Sequence, residues 1–334
     1  MTAANAAAPL LDVRGLGIHF RTEAGEVQAT RDVTFAVRPG ERVGIVGESG
    51  CGKTVTGLSI LGLLPRRSSR VTGQILLDGR DLLTLPAREM RKVRGRQISM
   101  IFQEPMSALD PVFTIGHQIG ETLRAHRGMA KKEARERAIE ALAQVGIPLP
   151  ARRVDEYPHQ LSGGMRQRAM IAIALVCEPK LLIADEPTTA LDVTIQAQII
   201  DLLFDLSSRT GTALLFITHD LGVIAETCTR MLTMYAGEVV EDAPVDAALE
   251  RPRHPYTSGL LRSIPRLSKR KTTLPSIPGR VPSLADMPAG CRFRLRCAHG
   301  APECTATQTL VDVSAERRAR CVRQASLTLP GAVA

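Results

Sequence analysis

The sequence predicts an α/β fold with a largely parallel sheet, an antiparallel β subdomain ahead of it, an inserted helical subdomain and an irregular C-terminal extension. Three observations predict it. Apolar runs of strand length alternate with helix-length patterns, the signature of parallel strands joined by crossover helices. A glycine-rich turn, Gly47-Glu48-Ser49-Gly50-Cys51-Gly52-Lys53-Thr54, links a buried-strand pattern to a helix. After Glu250 the periodicity fades and Pro and basic residues accumulate.

The elements follow in order. Residues 11–20 and 27–37 alternate like antiparallel strands. Residues 42–47 read as a short buried strand, and 53–64 as a helix stopped by Pro65. Two further strands are expected at 74–77 and 98–102. From about 104 to 161 the texture is helical; 131–145 carries Ala134, Ala138, Leu142 and Val145 on one face and charges on the other. A helix from Gly163 then precedes a strand at 181–184, a helix at 193–209 and a strand at 213–218. Residues 252–290 read as an extended linker or wrapped arm. This divides the chain into 1–250, with a helical subdomain at about 104–163, and an extension at 251–334.

Hydrophobic residues make up 44% of the 334 and charged residues 23%, which excludes wholesale disorder. Aromatics are 3% with no Trp, so the core is expected to be aliphatic, and base-stacking recognition of single strands is disfavoured. No apolar run approaches the ~18–20 residues that span a bilayer. The first residues lack a basic region followed by an apolar stretch, so no secretory leader is expected. The expected compartment is the cytoplasm, with membrane association only through a partner.

The net charge of +9 is unevenly placed. Residues 251–334 hold 15 of the 43 Lys/Arg and 4 of the 34 Asp/Glu, leaving 28 basic and 30 acidic residues in 1–250. The main body is therefore not a nucleic-acid binder by charge. The basic tail could meet RNA, anionic lipid or an acidic protein surface; composition does not choose among them.

Gly47–Thr54 matches G-x-x-x-x-G-K-[ST], the phosphate loop of P-loop NTPases. Its glycines let backbone N–H groups turn inward around phosphate oxygens, and the helix beginning there adds its positive end. Lys53 supplies charge to the β- and γ-phosphates of ATP, and the Thr54 hydroxyl can ligate Mg²⁺. Leu181-Leu182-Ile183-Ala184-Asp185-Glu186 is an apolar strand ending in two carboxylates. Such a strand delivers its last residues to the ligand edge of a parallel sheet. Asp185 can hold Mg²⁺ through water, and Glu186 can polarise the attacking water.

Leu161-Ser162-Gly163-Gly164-Met165-Arg166-Gln167-Arg168 reads as a second anion-binding helix start, with Ser162 as N-cap. These three motifs in this order resemble the ATP-binding subunits of ABC transporters over about residues 10–265. The resemblance implies an ABC ATPase that packs head to tail with a second such subunit. In that dimer Ser162, Gly163 and Gly164 close over ATP bound by the partner. It further implies that Gln103, in Phe102-Gln103-Glu104-Pro105, contacts Mg²⁺. Asp192, after Ala190-Leu191, crosses the dimer interface; His219 touches the γ-phosphate; Phe20 stacks on adenine beside His19. Cys51 stands where Ser or Gly is common; it packs passively or, at a helix N-terminus, oxidises readily.

His254-Pro255-Tyr256-Thr257, then Leu260, Leu261, Ile264 and Pro265, then Ile277-Pro278-Gly279-Arg280-Val281-Pro282, resemble the C-terminal extension of oligopeptide and dipeptide importer ATPases. The implied role is energy coupling on the cytoplasmic membrane face. The implied partners are a different ATPase chain, two permeases and, indirectly, an external binding protein. Nickel or glutathione import is the alternative cargo, and a soluble ABC ATPase the third reading. Cys291, Cys297, Cys304 and Cys321 crowd the tail with spacing C-x5-C-x6-C-x16-C, whereas Cys51, Cys177 and Cys228 are scattered. In a reducing cytosol such a cluster suits metal more than disulfides. Four thiolates suit zinc or an iron–sulfur cluster; four unliganded thiols are the bland alternative. The resemblance to peptide-importer ATPases with this tail implies a [4Fe–4S] cluster. Arg292, Arg294, Arg296 and Arg320 are positioned in sequence to offset thiolate charge.

Overall fold

The computed structural model describes residues 8–23, 25–103, 108–188, 192–263 and 276–332. The sequence features at Glu104, Pro105, Ala190, Leu191, Ile264 and Pro265 lie outside the described residues, as does the expected start of the helical subdomain. The strands are β1 (Leu11–Thr22), β2 (Gly25–Val37), β3 (Arg42–Val46), β4 (Ser69–Leu77), β5 (Arg80–Asp81), β6 (Ile98–Ile101), β7 (Leu181–Asp185), β8 (Ala213–Ile217), β9 (Arg230–Tyr235), β10 (Glu238–Pro244), β11 (Val311–Ser314) and β12 (Arg317–Ala319). Helices are named by their residues. The chain forms two compact units, one of residues 1–10, 38–41 and 84–216, the other of 11–37, 42–83 and 217–334.

In the first unit the strand order is β8-β7-β6, and β6 runs parallel to β7 with Ile98 opposite Leu181 and Ile101 opposite Ala184. Every residue of these strands is buried. A strand covered on both faces cannot alternate, which is why 181–184 and 213–218 read as uninterrupted apolar runs. Helix Lys131–Gln144 buries Ala134, Ala138 and Leu142, the predicted face, and Val145 follows at its C-cap. Helix Gly163–Leu175 buries residues all round, including Gln167. Helix Val193–Thr210 stops at Gly211, whose φ of 67° is the left-handed conformation that glycine adopts freely.

The second unit contains an antiparallel sheet of order β2-β1-β4-β5. It also contains the run β11-β12-β10-β9-β3, in which β3 is parallel to β9 and the other neighbours are antiparallel. Helix Lys53–Ile60 is shorter than the expected 53–64, because Gly62 turns left-handed (φ 59°) before Pro65 is reached.

The extension is irregular over most of its described length, but 252–290 is not simply a linker. Pro255–Arg262 is a helix. Proline at its first position loses an N–H that no helix uses, and the His254 side chain caps it by accepting the Tyr256 N–H at 3.1 Å. Further on, β12 pairs with β10, placing Ala319 opposite Glu241. The aliphatic core expected from composition has an aromatic exception here: Tyr235, Tyr256 and Phe293 pack with ring centroids 4.7–5.4 Å apart.

The tail's positive charge meets acidic groups of its own chain. Arg317 reaches Glu241 at 2.6 Å, Arg318 reaches Asp242 at 2.7 Å, Arg320 reaches Asp32 at 3.1 Å and Arg296 reaches Glu48 at 2.8 Å. Of the three partners open on composition, an acidic protein surface is the one these four arginines engage, and it is intramolecular.

Candidate functional site

β3 is buried along Val43–Val46 and ends in Gly47, where the loop begins. A Cβ on Gly47 would stand 2.2 Å from the Met234 carbonyl oxygen and 2.7 Å from Cys51 Sγ, so only glycine fits. Gly50 and Gly52 take φ of 74° and 100°, values that a side chain would strain. The turn is tied by the Cys51 N–H donating to the Glu48 carbonyl at 3.2 Å. Helix Lys53–Ile60 follows, with the Thr56 hydroxyl donating to the Gly52 carbonyl at 2.7 Å.

Lys53 is 5% exposed, and its Nζ donates to the carbonyls of Gly47 at 2.9 Å and Glu48 at 3.2 Å. The ammonium is thereby held within the loop, where an incoming polyphosphate is its natural acceptor. Ser49, Gly50 and Thr54 are exposed. Cys51 is buried, and burial pushes its thiol above the ordinary range. Of the two readings of Cys51, passive packing is the one that fits; an activated thiol would need a depressed value.

β7 ends in Asp185, which is 2% exposed. Glu186 follows with φ 44°, a left-handed backbone that costs a non-glycine residue about 1–3 kcal/mol and clusters at functional sites. Gln103 Nε2 donates to Glu186 Oε2 at 3.3 Å, bringing two of the sequence-predicted residues together. Two side chains that sequence reading missed hold the following loop. Gln167, on helix Gly163–Leu175, donates to the Pro187 carbonyl, and Gln196 donates to the Thr188 carbonyl at 3.0 Å. For Gln167 a signal was available: a glutamine in a helix that turns apolar from Ala169, here 2% exposed, needs a polar partner.

Ser162 caps helix Gly163–Leu175, accepting the Met165 N–H at 3.3 Å, and Gly163 is exposed beside it. Gly164 lies against helix Val193–Thr210, where an added Cβ would come within 3.3 Å of Ile195. Asp192 caps that second helix through the Ile195 N–H at 3.0 Å. His219 follows β8 in an exposed turn, pinned by the Thr218 hydroxyl accepting the Asp220 N–H at 3.0 Å. Phe20 is half-buried in β1, opposite Val27 and Ser69. Beside it the His19 ring lies 3.2 Å from Glu26 and 3.5 Å from Gln28.

Cys291, Cys297, Cys304 and Cys321 converge. The Cys291 N–H donates to the Cys304 carbonyl at 3.0 Å, and each thiol of Cys291, Cys297 and Cys321 is raised by burial first and by neighbouring thiols of the set after it. Burial lifts Cys291 to about 11. Among the described residues, however, no three His, Cys, Asp or Glu side chains stand in a metal-holding arrangement. The arginine expectation needs correction. Arg292 donates to the Ala236 carbonyl, Arg296 to Glu48 and Arg320 to Asp32. The cation that opposes the rise at Cys297 and Cys321 is instead Arg323, two residues beyond Cys321 and brought to Cys297 by the fold.

No helix among the described residues is long and apolar enough to cross a membrane. Residues 30–189 match the ABC transporter family, and residues 240–304 match the oligopeptide/dipeptide transporter C-terminal region. A putative peptide import ATP-binding protein of Brucella melitensis is 53% identical over 94% of this chain and 97% of its own length. A probable peptide ABC transporter ATP-binding protein of Sinorhizobium fredii is 57% identical over 86% of this chain and 87% of its own. Among solved structures, the dimeric ATP-binding cassette MJ0796 in a post-hydrolysis state with ADP and Pi is similar at a TM-score of 0.62 and 31% identity, covering 70% of this chain and 98% of that one. The fold is thus that of an ABC ATPase, and the chain belongs to the ATP-hydrolysing subunits of ABC transporters, in the branch that carries the oligopeptide/dipeptide transporter C-terminal region.

Proposed function

We propose that this chain couples ATP hydrolysis to import of di- and oligopeptides, paired with a second, different ATPase chain on two permeases that an external binding protein supplies. The observation that carries the reading is the phosphate loop, with Lys53 held inside it, in a chain whose C-terminal region is of the oligopeptide/dipeptide type. Residues 1–250 carry the ATP chemistry, with the helical subdomain at about 104–163, and 251–334 form the extension. Its place is the cytoplasmic face of the membrane, held there by the permeases.

In this mechanism Gly47, Glu48, Ser49, Gly50, Cys51 and Gly52 form the cradle for the phosphates, and Lys53 donates to their β- and γ-oxygens. Phe20 stacks on the adenine. Thr54, Asp185 and Gln103 are oxygen donors suited to Mg²⁺, which neutralises phosphate charge when bound. Glu186, oriented by Gln103, accepts a proton from the attacking water, and His219 donates to the γ-phosphate. Ser162, Gly163 and Gly164 serve the ATP held by the partner chain, and Asp192 lies at that interface. The four tail thiols are sulfur donors for a [4Fe–4S] cluster, with zinc as the other occupant they suit. Their raised proton affinity means that any such group must displace protons on binding.

The test is ATPase activity of the complex purified from membranes and reconstituted with its binding protein. Stimulation by peptide is expected; stimulation by nickel or glutathione instead reassigns the cargo, and recovery of soluble partners alone overturns the transport role. Anaerobic purification followed by iron, sulfide and zinc analysis decides the tail. Absence of all three removes the cluster.

A further inference from the structure

We infer that Arg296 and Tyr256, both from the C-terminal extension, are positioning residues for ATP, acting through Glu48, the second residue of the phosphate loop. The inference rests on reading that loop as the nucleotide site. Arg296 grips the Glu48 carboxylate with both prongs, Nη1 to Oε2 at 2.8 Å and Nη2 to Oε1 at 3.1 Å. The Glu48 backbone N–H donates to Tyr256 Oη at 2.9 Å. Side chain and backbone of one loop residue are therefore both held by groups that lie more than two hundred residues further along the chain.

The anchors are themselves anchored. Arg296 Nε donates to the Pro278 carbonyl at 2.9 Å, and its guanidinium lies 5.7 Å from the Tyr235 ring centroid. Its side chain is 7% exposed. Tyr256 is fully buried against Tyr235 and Phe293. Burial raises its hydroxyl above the ordinary range, so the phenol stays neutral and accepts steadily.

Two physical consequences follow. A phosphate loop binds through backbone N–H groups held in shape before the ligand arrives, and ordering them in advance lowers the entropic cost of binding. Glu48 also puts a carboxylate in a loop that must receive a polyanion. The bidentate arginine neutralises it in the geometry that suits guanidinium and carboxylate. Without Arg296 that charge repels ATP from inside its own site.

The repulsion makes the role separable from simple packing. In the purified complex, Arg296→Gln is expected to raise KM for ATP about tenfold with kcat changed less than about twofold. The double variant E48Q/R296Q removes the stranded charge and is expected to return KM to within about threefold of the parent. Binding of a fluorescent ATP analogue and the thermal midpoint are measured on every variant. An unchanged KM in Arg296→Gln overturns the inference, as does a double variant as weak as the single or weaker. If Arg296→Gln does not fold, Tyr256→Phe keeps the ring and removes only the acceptor of the Glu48 N–H; an unchanged KM there refutes the positioning. Failure of the parent chain to bind ATP at all would instead remove the nucleotide-site reading on which the inference rests.

Discussion

The buried pair Glu241–Arg317 is where the extension is most exposed to a single substitution. Glu241 on β10 is fully buried and accepts three charge-assisted bonds: Arg317 Nη2 at 2.6 Å, the Arg253 N–H at 2.8 Å and the His254 N–H at 3.0 Å. Glu241→Ala strands a buried guanidinium, which costs about 3–5 kcal/mol. It also orphans two backbone N–H groups at about 1–3 kcal/mol each. Neighbouring terms do not add fully, so about 4 kcal/mol is a fair lower bound, against a whole-protein stability of about 5–15 kcal/mol. The chain has no Trp and three Tyr, two of which, Tyr235 and Tyr256, sit in the aromatic cluster against the extension. Tyrosine fluorescence during urea titration therefore reports this region, and hydrogen exchange of β11 and β12 reports their docking. The expected result is early loss of both signals in Glu241→Ala. The double variant E241Q/R317M is expected to recover most of the loss, because a neutral pair leaves no buried charge behind. A cost under about 1 kcal/mol for Glu241→Ala, or a double variant no better than it, would refute the reasoning.

Three further outcomes are expected. Glu186→Gln lowers phosphate release by about 10²–10⁴-fold while nucleotide binding persists, because the amide keeps the shape but cannot take the proton; rapid filtration and a phosphate assay separate the two. Gly47→Ala abolishes ATP binding, since its methyl collides with backbone at Met234, and a calorimetric titration with a normal isotherm would contradict this. His254 is buried with its basicity lowered to about 3, by burial first and then by Arg320. The unfolded chain, near 6.5, takes up that proton first as pH falls, so stability is lost between about pH 6.5 and pH 3, by about 2 kcal/mol from pH 7 to pH 5. Urea midpoints across this range check it, and His254→Asn should flatten that part of the slope.

The legible parts of the chain are those whose chemistry is local. The phosphate loop shows because Gly47, Gly50 and Gly52 meet steric demands within a few residues of one another. Helix Lys131–Gln144 shows because its alanines share one face, and β7 because burial on both sides demands a continuous apolar run. The extension hid its structure for two reasons. Pro255 reads as a breaker, yet at the first turn it starts a helix. β11 alternates Val-Asp-Val-Ser but over only four residues, and β12, Arg-Arg-Ala, has three residues and no alternation, so neither stands out from the irregular chain around it.

Its charges hid for a different reason. Arg320 pairs with Asp32 and Arg296 with Glu48 across 288 and 248 residues, and no window of sequence holds both members of such a pair. Counted along the chain, the tail is a basic segment in search of an anionic partner. Counted in space, Arg317, Arg318, Arg320 and Arg296 answer Glu241, Asp242, Asp32 and Glu48. Removing the tail would leave Glu241 and Asp242 as buried carboxylates without those cations, a state that costs several kcal/mol per ion. Glu241 and Asp242, which precede residue 250, therefore depend on arginines that follow it. The extension completes the electrostatics of the phosphate-loop unit, and that dependence is the physical reason to expect the tail's condition to register in how this chain holds ATP.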